Sequence, residues 1–171
     1  MDSKAIFGIC VVASFVAFGR VARTYIWPNV SRLNRDQALN ILITPHMFRF
    51  VGMSFLMPGV AGPQMSAAFA IPAAYGDLAA AVLAAVSVFA LARRASWALV
   101  AVWLFNVEGT ADLLFAYYRG VTSLPTGALG ATFYIPTVLV PALLVLHVLI
   151  FAMLTRAEKN GASAIAAASS Q

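Results

Sequence analysis

Residues 97–118 read WALVAVWLFNVEGTADLLFAYY. The run has the length of a membrane crossing, about 20 apolar residues, and carries Asn106, Glu108, Thr110 and Asp112 near its middle. A carboxylate at that depth costs roughly 2.5–3.5 kcal/mol, so it meets a partner or a wet cavity and has a function by default. One stretch therefore predicts a fold, a transmembrane helix bundle, and the place of its site.

Glu108 and Asp112 are four residues apart and share one helix face. In a low dielectric both stay charged only where cations reach them; otherwise one takes a proton. The pair reads as a proton carrier, a cation ligand or an acid–base couple. The plainer reading is a polar clamp tying this helix to Arg49 or His147. Asn106 projects away from Glu108, toward the side of Thr110, and reads as a bond to a neighbouring helix.

The rest of the chain agrees with a membrane setting. Of 171 residues, 62% are hydrophobic and 10% charged, where a soluble domain carries about 25% charged residues. Five apolar segments, 5–20, 45–58, 72–92, 97–118 and 132–155, predict an all-α polytopic membrane protein. They form one transmembrane domain over 1–155, followed by a flexible cytoplasmic tail, 156–171. The first segment follows Asp2 and Lys4 without a small-residue cleavage site and reads as a retained helix. Segment 21–44 holds Tyr25, Trp27 and an apolar side of Val30, Leu33, Leu39 and Leu42, suiting a short helix on the membrane surface. Thr44-Pro45 starts the second span, which is short for a bilayer core of about 30 Å. Segment 58–73 is apolar but broken by Gly and Pro, and is expected to dip into the bilayer over the site. Pro136 and Pro141 are expected to bend the last helix.

Charge sets the predicted topology. The net charge of +5 lies mainly at the ends of apolar runs and is not a nucleic-acid footprint. Arg20, Arg23, Arg32 and Arg35 fall in the first connection, Arg93 and Arg94 in the third, and Arg156 and Lys159 after the last span. The second connection has no basic residue and the fourth only Arg119. The positive-inside rule then puts the N-terminus outside and the C-terminus in the cytoplasm of a bacterial inner-membrane protein.

Further site candidates come from the other spans. His147 lies in the fifth, near the depth of the acids. Arg49 either snorkels to headgroups or enters the bundle as counter-ion to Glu108. His46, at the first turn of the second span, reads as a boundary residue. Asp77, expected in the first turn of the third helix, complements its N-terminus or closes the mouth of a cavity. Met53 and Met57 face one way and, with Met47 and Met65, suit core packing more than a soft-metal path. The chain has no P-loop, GxSxG, HExxH or CxxC pattern, and its single cysteine, Cys10, lies in an apolar run. No motif identifies a cofactor. A haem between His46 and His147 would need both at one depth, and His46 reads as too near the surface.

The segments FRFVGMSF (48–55), FAIPAAYGDL (69–78), FNVEGTADLLFAYYRG (105–120) and VPALLVLHVL (140–149) resemble a group of small bacterial multi-helix membrane proteins, and the build is similar to DoxX-like proteins. The resemblance implies an inner-membrane bundle with Arg49, Asp77, Asn106, Asp112 and His147 at motif positions, and implies no reaction. The sequence thus points to an intramembrane polar pocket that binds or transports a small or lipid-like molecule with proton or cation involvement. Glu108, Asp112, His147 and Arg49 form the expected site, with Asn106, Asp77 and His46 secondary. One alternative is a small membrane enzyme on an apolar substrate, pairing His147 with a carboxylate. Another is an accessory subunit of a larger complex or homo-oligomer, in which the acids are structural.

Overall fold

The computed structural model describes residues 2–125 and 127–168, with side chains as far as Arg156. Five helices are long and apolar enough to cross a membrane: α1 (Ser3–Val30), α2 (Arg35–Leu56), α3 (Ala67–Ala92), α4 (Ala98–Ser123) and α5 (Gly130–Arg156). The helical backbone of α5 continues to Ala168, through most of the stretch expected as a tail. The end of that tail, 169–171, lies outside the described residues.

Segment 21–44 is not a separate surface helix. Its first part extends α1, through a π turn at Ala22–Ile26 that precedes Pro28. Its second part opens α2, where the Asn34 side chain accepts from the Gln37 amide at 3.0 Å and caps the first turn. The α-helical part of α2 ends at Ile43, and Pro45 withdraws the next backbone donor. From Thr44 to Leu56 the chain winds as a 3-10 helix of 13 residues, an unusual length for that form. At about 2.0 Å per residue this part rises roughly 26 Å, and nine α-helical residues add about 13 Å. The span expected to be short is therefore ample.

The 3-10 winding also decides which side chains point inward. Residues three apart eclipse one another, so His46, Arg49, Gly52 and Phe55 form one buried ridge. Met53 and Met57 do not face one way; Met53 is partly buried, while Met57 lies just past the helix and is exposed. Helix α3 starts five residues before Pro72, and its alanines at 73, 74, 80, 81 and 84 bury a smooth face that lets α2 and α4 come close.

Helix α1 is the outlier, with 6% of its apolar window buried; its packing partner is α5. The connection after α2 bonds to the connection before α5. Gly62 donates to the Ala128 carbonyl at 3.0 Å, and Ala131 donates to the Val60 carbonyl at 2.9 Å. These two loops close one end of the bundle together.

Two apolar clusters fill the interior. One holds Leu39, Leu42, Ile43, Val102, Phe105 and Ile150, near the start of α2. The other holds Phe55, Phe69, Leu113, Ile135 and Leu143, near its end. Between them lies a layer of buried polar side chains.

Candidate functional site

Arg49 forms the middle of this layer, with its side chain fully enclosed. Its Nε donates to Asp77 Oδ1 at 2.8 Å, its Nη2 to Asp112 Oδ2 at 2.5 Å, and its Nη1 to the Gly109 carbonyl at 3.1 Å. One guanidinium thus joins α2, α3 and α4. Snorkelling is excluded by this burial, and the partners are Asp77 and Asp112 rather than Glu108. The planar fork of donors suits Arg to such a three-way contact, where a Lys ammonium would not.

Asp77 reaches Arg49 because α3 begins at Ala67, which places the carboxylate three turns inside the helix and not in its first turn. The neighbouring glycines make the approach possible. A Cβ on Gly52 would overlap the Asp77 side chain, and one on Gly76 would overlap the Asp112 carboxylate. At Gly109 a Cβ would lie 2.9 Å from both Arg49 Nη1 and His147 Cε1.

The second half of the layer is built on histidines. His46 is completely buried, and its ring centroid lies 4.2 Å from that of His147 at a tilt of 51°. The boundary assignment of His46 fails because α2 starts eleven residues earlier, at Arg35. The two rings share a depth, but they touch each other, and a porphyrin does not fit between them as placed. Phe105 packs on both, with centroids at 5.1 and 5.3 Å. Among the described residues no three His, Cys, Asp or Glu side chains converge as a metal-ligand set.

Asn106 joins this half of the layer. Its Nδ2 donates to the His147 backbone carbonyl at 3.3 Å, which turns its Oδ1 toward His147 Nδ1 at 2.7 Å. An amide oxygen only accepts, so Nδ1 carries the hydrogen and Nε2 presents a lone pair in the neutral ring. Among the described residues that Nε2 has no partner, and neither ring nitrogen of His46 has one. The expected helix-to-helix bond of Asn106 is present, and it orients a histidine.

Glu108 lies one turn from Asp112, half-buried, and its Oε2 is enclosed without a partner among the described residues. The layer therefore sets one guanidinium against three carboxylates, two of them held directly. Next to Asp112 a narrow cleft of about 20 Å³ opens between α3 and α4, walled by Phe69, Pro72, Ala73 and Phe115. That volume admits about one water molecule. Arg119 closes its rim and donates to the Ala68 carbonyl at 3.1 Å.

Most of the expected residues thus converge. Arg49, Asp77 and Asp112 form one ion-paired group; Asn106, His46 and His147 form a second beside it; Glu108 stands at the edge. The signal for His46 was the three-residue spacing from His46 to Phe55, which matches no α-helical face. The model of a family described as a domain of unknown function (DUF8737) matches residues 6–155 of the chain. Neither a curated protein nor a solved structure matches it.

Proposed function

The chain belongs to that family of unknown function, and we propose that it is a bacterial inner-membrane protein, N-terminus outside, DoxX-like in build. In this reading its polar layer binds or transports a small or lipid-like molecule, with a proton or a cation taken up at Glu108. The observation that carries it is the arrangement of charge: Arg49 engages Asp77 and Asp112 and leaves the buried Glu108 Oε2 unpaired among the described residues. A third carboxylate in an apolar setting has to be met by a proton or a cation. The cleft beside Asp112 is wide enough for water or a bare ion, and so supports an inorganic co-species reaching the layer from that side.

Infrared difference spectroscopy of the protein in lipid, between acidic and alkaline buffer and with and without sodium or potassium, tests this. The expected result is a carboxyl signal that responds to pH or cation and is missing in Glu108→Gln. A response that persists in Glu108→Gln, or no carboxyl response at all, overturns the reading.

A second reading, the accessory subunit, is favoured by the tight packing of the layer, whose adjoining cleft is only about 20 Å³.

A further inference from the structure

Helix α3 ends in a Schellman pair: Ala95 donates to the Ala90 carbonyl at 3.0 Å, and Arg94 donates to the Leu91 carbonyl at 3.1 Å. The residue at the turn has φ +50°, a conformation that favours glycine because an L side chain crowds the backbone there. Here it is Arg94, the only non-glycine residue with positive φ among those described. A strained position occupied by a charged side chain points to a demand other than folding.

Arg94 lines an open groove of about 1050 Å³ between the end of α3 and the start of α2. This is at the upper end of the roughly 300–1,000 Å³ common for small-molecule sites. Opposite Arg94 stand Asn34 and Arg35, at the helix start, where the helix dipole favours an anion although the Asn34 side chain caps the Gln37 amide. Asp36 also lines the groove, with Oδ1 3.9 Å from Arg35 Nε, and both side chains are well exposed. Two guanidinium groups against one carboxylate leave the groove an excess positive charge. Its remaining wall includes the exposed apolar side chains Leu33 and Ile41. Both helices are long and apolar enough to cross a membrane, and the groove sits at their ends, where lipid headgroups would lie.

We propose that this groove binds the phosphodiester headgroup of an anionic phospholipid, held between Arg94 and Arg35, with its acyl end leaving over Leu33 and Ile41. The pairing follows from chemistry: guanidinium forks recognise phosphate, and the apolar wall selects a lipid over a soluble phosphate. The site is separate from the polar layer and does not depend on what that layer carries.

The test uses the full chain in mild detergent, with thermal unfolding and native mass spectrometry. Phosphatidylglycerol, phosphatidylcholine and inorganic phosphate are added in separate arms. Arg94→Gly removes the side chain while giving the turn its preferred residue, so the variant folds at least as well as the parent. Arg35→Gln tests the opposite wall. Phosphatidylglycerol is expected to raise the unfolding temperature of the parent more than phosphatidylcholine does, and each variant is expected to bind it about five- to tenfold more weakly. Equal effects of the two lipids, or undiminished phosphatidylglycerol binding in both variants, would overturn the proposal. A shift with inorganic phosphate as large as that with phosphatidylglycerol would assign the groove to a soluble ligand, and overturn it too.

Discussion

Asn106 and His147 exchange two hydrogen bonds between α4 and α5, one from the Asn106 amide to the His147 backbone carbonyl and one between its oxygen and the imidazole Nδ1. The first bond settles which way the amide points, and the second then settles which ring nitrogen carries the hydrogen. Asn106→Leu keeps the volume close and removes both. A loss of about 1–3 kcal/mol is expected, since the ring N–H is left buried without a partner, while the carbonyl keeps its bond within the helix. Equilibrium unfolding in detergent measures the loss. Nitrogen NMR of His147 should show the Nδ1–H tautomer in the parent and a mixture in the variant.

Arg49 offers a sharper test of whether the ion-paired group stabilises the bundle. Arg49→Met strands two carboxylates among apolar helices, and removing one side of a buried pair typically costs about 3–5 kcal/mol. The triple variant Arg49→Met, Asp77→Asn, Asp112→Asn removes both carboxylates that Arg49 held and should recover most of that loss. Arg49→Lys should fall between, because one ammonium does not span Asp77, Asp112 and the Gly109 carbonyl with fixed geometry. Should the triple variant be no more stable than Arg49→Met, the charges are not what holds these helices together.

Much of this arrangement could be read from the chain, and the exceptions share a cause. The five spans, the acids in α4 and the polar partners in α2 and α5 follow from hydropathy alone, because charge in an apolar run is rare and conspicuous. Which partner meets which carboxylate depends on helix starts and on winding. Asp77 looked like a first-turn residue because Pro72 looked like a start; the helix in fact runs through that proline. His46 looked superficial because Thr44-Pro45 looked like the start of its span; the helix in fact begins at Arg35. The 3-10 geometry of Thr44–Leu56 replaces the α-helical step of about 100° with one near 120° and aligns His46, Arg49 and Gly52. Hydropathy carries no information about that change of winding.

Gly109 is the point where the two halves of the layer meet, and its lack of a side chain is predicted to matter more than its helix propensity. Gly109→Ala would gain about 1 kcal/mol from propensity in an open helix. Here the new methyl sits 2.9 Å from Arg49 Nη1 and His147 Cε1, both held by bonds of their own. Overpacking of this kind costs about 1–3 kcal/mol, so a net loss or near balance is expected, with a shifted His147 ring signal. Gly8→Ala is the control. Nothing lies within 4 Å of its added Cβ, and the substitution should be neutral or stabilising. Equal gains at both sites would mean that α4 is free to move away from α2.

Pro72 and Arg119 make the last case, and it separates a structural role from a functional one. A proline inside α3 supplies no N–H to the carbonyl four residues back, that of Ala68. Arg119 donates to that carbonyl from α4 at 3.1 Å, so the break in one helix is answered by a side chain of another. In Pro72→Ala the restored amide competes for the same oxygen. Arg119→Ala should therefore cost about 1 kcal/mol in the parent background and close to nothing beside Pro72→Ala. The double-mutant cycle in detergent reads that coupling directly. Additive losses would free Arg119 from backbone repair and point instead to its place at the rim of the cleft over Asp112. In that event its removal should speed hydrogen exchange of the α4 amides around Asp112 without lowering stability.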